Sequence, residues 1–410
     1  MKIVYNCIVF FASLLLPVVA IFNKKIKLFV DGRKQTFSKI ATLKNSKTIW
    51  FHAASLGEFE QAIPLIEVLK VTHAEYKILV TFFSPSGYEI RKHFKLADVV
   101  CYLPLDSRSN AKLFVETVNP AFAIFVKYEF WPNLLFELKR KEISTILVSG
   151  IFRKEQVFFK KYGGFMRVPL KSFAHFFVQD NSSKELLSSI HFDNVTVAGD
   201  TRFDRVSKIL EQENTLDFIN EFKDGKYTLV AGSTWKEDEV LLINYINNEA
   251  SEDEKFIIAP HTIHPTSIVE LQKSIDKKSV LYSEKSDYDV KESQVFIIDT
   301  IGLLTKIYAA ADVAYVGGGL KTGLHNVLEP ATFGIPVVIG NIISKFKEAV
   351  DLVELKGCIS IENTEELTTV LRKLKTEDLY RKKTGGINKK YIQDHLGATQ
   401  SIIKFINDKL

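Results

Sequence analysis

The stretch Val316-Gly317-Gly318-Gly319-Leu320, followed by His325-Asn326-Val327-Leu328-Glu329-Pro330, has the residue types and spacing that most directly promise chemistry. The apolar run from Val313 to Val316 reads as a buried parallel strand. The glycines let backbone N–H groups approach a ligand, and the segment after them restarts as a helix, which makes a seat for an anion. The carboxylate of Glu329 stands a short way beyond, suited to accept hydrogen bonds from sugar hydroxyls while the helix end faces a phosphate. That is the chemistry of a nucleotide-sugar site. Strand, glycine turn and helix also recur throughout α/β proteins, where the glycines serve only a tight connection. Two familiar phosphate loops are excluded by spacing. Gly317, Gly319 and Thr322 fail G-x-G-x-x-G, and Leu320 precedes Lys321-Thr322 where a P-loop requires glycine.

Four further segments end apolar runs with reactive or binding residue types. Trp50-Phe51-His52-Ala53-Ala54-Ser55-Leu56-Gly57-Glu58 runs from strand through turn into helix and sets Glu58 at the helix's opening, where it suits a general base. Ser55-x-x-Glu58 is equally a capping box, and the helix dipole favours the ionised carboxylate, so only an apolar closed surrounding restores a base's proton affinity. Lys127-Tyr128-Glu129-Phe130-Trp131-Pro132-Asn133 repeats the layout: Glu129 suits an acceptor sugar, Trp131 a packing role, Lys127 an exposed strand end. Ala231-Gly232-Ser233-Thr234-Trp235 offers hydroxyls for a phosphate or for a plain helix cap. In Pro260-His261-Thr262-Ile263-His264-Pro265 two imidazoles are expected to point towards one site. No third ligand stands at recognisable spacing, so a nucleotide or phosphate contact is favoured over zinc, a plain loop histidine with no role ranks ahead of both for at least one of the two, and no metal is expected.

These segments need a scaffold that brings strand ends together. Apolar runs at 48–53, 77–83, 99–103, 121–126, 145–148 and 176–178 alternate with helical patterns, and a second series follows at 228–231, 256–259, 295–298, 313–316, 336–339 and 358–361. Such alternation builds parallel sheets covered by helices, so the expected fold is α/β with two doubly wound, Rossmann-like domains facing an interdomain cleft. The expected division is an anchor over 1–25, a first domain over 26–203 and a second over 204–410. The chain's 410 residues, 46% hydrophobic, are ample for two cores. A formal net charge of +5 is too small to imply nucleic acid but suits anionic substrates or an anionic membrane. Cys7, Cys101 and Cys358 are odd in number and far apart, which suggests neither a disulfide framework nor a zinc cluster.

Residues 3–22 carry no charge and as a helix span about 30 Å, enough to cross a bilayer. Asn6, Ser13 and Pro17 also permit a shallow interfacial pose, and Val18-Val19-Ala20 resembles a signal-cleavage site. Lys24, Lys25, Lys27, Arg33 and Lys34 follow at once, a positive excess that favours an uncleaved anchor with the following chain in the cytoplasm. Between Arg153 and Lys171, basic residues interleave with Phe158, Phe159, Tyr162 and Phe165. A solvated helix face is the default for such a run, and beside a membrane anchor it also suits lipid headgroups.

WFHAASLGE, KYEFWPNL, VQD, GDTRFD, AGSTWKEDE and VGGG…HNVLEPATFGIPVVIG occur in an order that resembles the lipid A Kdo (3-deoxy-D-manno-octulosonic acid) transferases of Gram-negative bacteria, over nearly the whole chain. The resemblance implies an inverting GT-B glycosyltransferase that moves Kdo from CMP-Kdo to lipid IVA at the cytoplasmic face of the inner membrane, with no cofactor and no metal. It maps the base onto Glu58 and the nucleotide-binding carboxylate onto Glu329. Ser233, Thr234, His261, His264, Gly317, Gly318, Gly319 and Asn326 fall on the donor side, and Ser55, Gly57, Glu129 and Arg153 on the acceptor side. The chain departs from the family where E-T-E-L-W becomes Lys127-Tyr128-Glu129-Phe130-Trp131, where P-R-H-P loses its arginine, and at Trp235 and Arg202, which replace a common histidine and lysine. A nucleotide-sugar epimerase and a non-catalytic binding protein are the alternatives on the same fold.

Overall fold

The computed structural model describes residues 2–410. Among the described residues, fourteen strands form two sheets. β1 (Thr48–Ala53), β2 (Lys77–Phe82), β3 (Val99–Tyr102), β4 (Phe122–Val126), β5 (Ser144–Gly150), β6 (His175–Val178) and β7 (Val195–Val197) make the first, in the order β3-β2-β1-β4-β5-β6-β7. β8 (Tyr227–Thr234), β9 (Glu254–Pro260), β10 (Ser279–Leu281), β11 (Val295–Ile297), β12 (Val313–Val316), β13 (Val337–Gly340) and β14 (Cys358–Ile361) make the second, in the order β10-β11-β9-β8-β12-β13-β14. Every pairing is parallel, so every connection crosses over and most carry a helix. This is the doubly wound architecture expected for each half.

The strands are apolar runs because both faces of each sheet are covered. Along β1, Ile49 and Phe51 enter the core on one side with Phe59, Ile66 and Val80, while Trp50 enters the other with Phe114, Phe125 and Leu134. Strand carboxyl ends within a parallel sheet lie on one edge, so the segments singled out above emerge side by side within their own sheet.

The chain divides into one compact unit of residues up to Arg205 together with His395–Leu410, and a second unit of Val206–Asp394. The expected extent 204–410 for the second domain is corrected at its end. Helix Ala398–Asn407 buries Ile402, Ile403 and Ile406 in the core that lies under β1 and β4. The N–H groups of Gly397 and Thr399 cap onto Asp204 at 2.7 and 2.6 Å. The tail therefore belongs to the first unit.

Helix Lys2–Phe22 is long and apolar enough to cross a membrane, and it exposes Ile3, Ile8, Phe10, Phe11, Leu14, Leu15, Ile21 and Phe22. Its less exposed positions, Tyr5, Val9, Ala12, Leu16 and Ala20, recur at helical spacing on one stripe. The Tyr5 hydroxyl donates to Asp106 at 2.8 Å, and Asn133 Nδ2 donates to the Asn6 amide oxygen at 3.0 Å, so the start of this helix is fastened to the first unit.

Candidate functional site

In the first unit, β1 delivers Ala54 and Ser55 into a turn from which helix Leu56–Thr72 starts. Glu58 folds back over that start, its Oε2 accepting the N–H of Ala54 at 2.6 Å and of Ser55 at 3.2 Å. The glutamate half of the capping box is thus formed. Backbone donors and the helix start lower a carboxylate's proton affinity, yet the Glu58 pKa lies above the ordinary value. Burial is the largest cause, followed by the charge of Glu129; the Ala54 N–H, His52 and Lys127 oppose them. Gly57 sits beside it with open space where a Cβ would be. Capping and a base's environment coexist at this carboxylate.

Glu129, just past β4, is buried. Its Oε2 lies 2.9 Å from His52 Nε2 on neighbouring β1 and accepts the Trp131 indole N–H at 2.7 Å. Trp131 packs against Phe83 with ring centroids 4.5 Å apart, so its expected packing role is joined by a hydrogen bond. The Glu129 carboxylate, expected to meet an acceptor sugar, already holds two protein partners. Arg153 lies 5.7 Å from the centroid of the Tyr128 ring, in the next loop of this edge.

The basic and aromatic run beyond it departs from the expected membrane face. Phe158 is buried in the core, and the Arg167 guanidinium donates to the carbonyls of Phe158 and Lys160 at 2.6 and 3.0 Å. Phe165 lies 6.3 Å from Tyr5. A run that reads as a solvated face is partly internal, since Phe158 lies in the core with Phe159 packed against it, while Tyr162 stays exposed.

In the second unit the glycine loop is built differently from expectation. Gly317 N–H donates to the Gly232 carbonyl at 3.0 Å and Gly318 N–H to Asp238 Oδ2 at 2.9 Å, so neither faces a ligand. The missing side chains permit close approach of backbone. A Cβ on Gly317 would come within 2.4 Å of the Ser233 carbonyl oxygen, and one on Gly319 within 2.8 Å of Gly340 N. Asp238 also accepts from Tyr315 Oη at 2.7 Å and Trp235 N–H at 2.9 Å, joining the ends of β8 and β12. Gly318 has φ +90, a conformation that favours glycine.

Glu329 opens helix Leu328–Thr332. Asn326 Nδ2 donates to its Oε1 at 3.0 Å and the Thr305 hydroxyl to its Oε2 at 2.8 Å. Two neutral donors orient a carboxylate whose remaining lone pairs can accept from a ligand. Ser233 takes φ +54, a left-handed turn at the end of β8, and the Thr234 hydroxyl donates to Glu239 at 3.0 Å. A cavity of about 470 Å³ opens beside Thr234 and Trp235, lined also by Lys236, Glu239 and Thr262.

The two histidines of the 260–265 loop take different partners. His264 precedes helix Pro265–Lys273, exposed, with Nδ1 2.9 Å from the Thr266 hydroxyl. His261 stacks on Trp235 with centroids 4.4 Å apart and lies 4.5 Å from His325. Trp235 Nε1–H donates to His325 Nε2 at 3.0 Å, so this imidazole is an acceptor at that nitrogen. Burial, then the neighbouring His261, bring the His325 pKa down to about 4. His52, Asp238, Thr305 and the ring contacts of His325 are the parts that sequence reasoning does not supply. Only the polar character of His52 inside an apolar strand run gives a signal.

Residues 31–205 match the family described as 3-Deoxy-D-manno-octulosonic-acid transferase (kdotransferase). A 3-deoxy-D-manno-octulosonic acid transferase of Aquifex aeolicus is 29% identical over 348 residues, covering 83% of this chain and 90% of that protein. One from Rickettsia bellii is 28% identical over 338 residues, 80% of each. Among solved structures, the UDP-GlcNAc 2-epimerase of Neisseria meningitidis bound to UDP-GlcNAc superposes with a TM-score of 0.61 at 14% identity, covering 88% of this chain and 100% of that one. That likeness concerns the fold.

Proposed function

From the match of residues 31–205 to the 3-deoxy-D-manno-octulosonic-acid transferase family and the likeness to its members over most of the chain, we propose that this glycosyltransferase moves Kdo from CMP-Kdo to lipid IVA with inversion at the anomeric carbon. Glu58 takes the proton of the attacking hydroxyl as the new glycosidic bond forms and the bond from the anomeric carbon to the CMP phosphate breaks. The observation that carries this reading is the environment of Glu58. It is half-buried near Glu129, and its proton affinity is raised above that of an ordinary carboxylate, as suits a group that accepts a proton in the transition state.

On the donor side, Glu329 accepts from ribose hydroxyls, steadied by Asn326 and Thr305, while Ser233 and Thr234 at the end of β8 meet the phosphate. Gly317 to Gly319 serve that site by letting the two strand ends close together. His261, through its ring stack, is the nearer of the two loop histidines to these residues in bonding terms, and His264 is the looser candidate. On the acceptor side, Ser55, Gly57 and Arg153 line the approach to Glu58, and Glu129 acts on Glu58.

The exposed apolar face of helix Lys2–Phe22, with Lys24, Lys25 and Lys27 after it, suits attachment to the inner membrane with both units on the cytoplasmic face. The test is direct. Membranes containing this chain, supplied with CMP-Kdo and lipid IVA, should yield acceptor heavier by the mass of whole Kdo units. Consumption of CMP-Kdo without a heavier lipid, or no reaction beside an active relative, would contradict the proposal.

A further inference from the structure

His52 is fully buried in the middle of an apolar strand, and its hydrogen bonds define where protons lie. Nδ1 is 3.1 Å from the Thr81 carbonyl oxygen and 2.9 Å from the Thr81 hydroxyl. A carbonyl oxygen only accepts. The Thr81 hydroxyl already accepts the Trp50 indole N–H at 2.8 Å and directs its own hydrogen to the Phe51 carbonyl at 3.3 Å. The network therefore assigns a hydrogen to Nδ1. Nε2 then meets Glu129 Oε2 at 2.9 Å, a separation at which two lone-pair atoms need one proton between them. The Trp131 indole N–H is shared between the same carboxylate oxygen at 2.7 Å and Nε2 at 3.1 Å; the shorter, charge-assisted contact takes its hydrogen, which leaves Nε2 free to donate to Glu129, whereas at His325 the indole has no such competing carboxylate.

We propose that His52 and Glu129 form a charge-balanced imidazolium–carboxylate pair that sets the electrostatic surroundings of Glu58, which makes His52 a positioning residue for proton transfer. This rests on the reading of Glu58 as the base and adds to it a named source of control. The two members pull in opposite directions: Glu129 favours the protonated form of Glu58, and His52 favours the ionised form. Lys127, in the same loop as Glu129, adds to the His52 side. The neighbouring loops bring Tyr128, with Arg153 against it, and Asp180, all of which exchange charge interactions around Tyr128 and Glu58. Asp200, paired with Arg202, shares the field of Lys127. Asp200 is buried as well, but its partner Arg202 is partly exposed; His52 and Glu129 are both buried and the imidazole is bonded at both nitrogens, which holds the pair in place.

The experiment is the pH profile of kcat/KM for the full chain in detergent with CMP-Kdo and lipid IVA. Glu129→Gln should move the acid limb to lower pH by roughly half a unit or more, and His52→Gln should move it to higher pH by a similar amount. The double variant, with both charges gone, should return towards the wild-type position. Limbs unmoved in both single variants, or displaced in the same direction, would overturn the proposal. Should the single variants not fold, the ¹⁵N shifts of His52 in the wild-type chain decide. Both ring nitrogens protonated at the working pH support the pair, and an unprotonated Nε2 refutes it. Failure of the underlying reading looks different, since Glu58→Gln would then keep its turnover and its acid limb.

Discussion

Glu58 and Glu329 occupy comparable places, each in the segment that follows a central parallel strand, yet their surroundings differ in kind. Glu58 is held by two backbone N–H groups in a half-buried setting near the Glu129 carboxylate, so its protonated and ionised forms are brought closer in energy. Glu329 is held by an amide and a hydroxyl, neutral donors that fix its orientation. One fold feature repeated in two units thus yields two carboxylates in different surroundings, one proposed to exchange a proton and one proposed to bind. Environment decides the division, because the side chains are the same.

The largest effect that bears on this division is expected from Glu58→Gln. It keeps size and one hydrogen-bond acceptor but cannot take a proton, so turnover should fall by roughly 10²- to 10⁴-fold. Normal turnover in an unstable variant would mean that capping is its whole role. Glu329→Ala should act on binding, since losing a charged acceptor costs about 1.5–3 kcal/mol and raises the CMP dissociation constant at least about tenfold. Calorimetry on the folded variant checks this, and unchanged affinity would remove Glu329 from the site. Thr305→Val, which frees one carboxylate oxygen, should weaken CMP by a smaller factor of about two to tenfold in the same titration.

Deletion through Phe22 sharpens the contrast from outside both sites. It removes Tyr5 from Asp106 and Asn6 from Asn133, so the melting temperature should drop by a few degrees while the sheets remain. Activity on detergent-dispersed lipid IVA should persist, and activity on acceptor in vesicles should fall and become more salt-sensitive. Equal activity on both acceptor forms at all salt concentrations would leave the helix without a role in substrate access.

The smallest effect separates the units by pH. Burial raises the Asp106 pKa to about 7, so its contribution is fully present below about pH 4 and is lost as pH rises through 7. His325, lowered to about 4, contributes stability that is present above about pH 6.5 and is lost as pH falls through 4. Between pH 7 and 4 the two act in opposite directions. Melting curves of Asp106→Asn and His325→Gln against wild type should diverge with opposite slopes over this window. Parallel curves would contradict the assigned surroundings.

Most of the scaffold is legible in the sequence because strands covered on both faces must be continuous apolar runs. The runs at 48–53, 313–316 and 358–361 coincide with β1, β12 and β14. β7 and β10 escape it. They are three residues long, lie at sheet edges, and include Thr196 and Ser279, so no run stands out. Nor does the sequence say which sheet helix Ala398–Asn407 will cover, since its apolar stripe fits either. At the candidate site the motif positions are legible and their partners are not. Thr305 reaches Glu329 across 24 residues, and Asp238 reaches Gly318 across 80. Those contacts are made by the fold, and they changed the reading of the glycine loop from free N–H groups to close packing.

The division between proton transfer and nucleotide binding is tested most directly by titrating CMP into the folded Glu58→Gln chain by calorimetry. The account predicts a dissociation constant within about twofold of wild type, a difference of about 0.4 kcal/mol, despite the loss of turnover. A tenfold weakening would contradict it, by making Glu58 part of the nucleotide site.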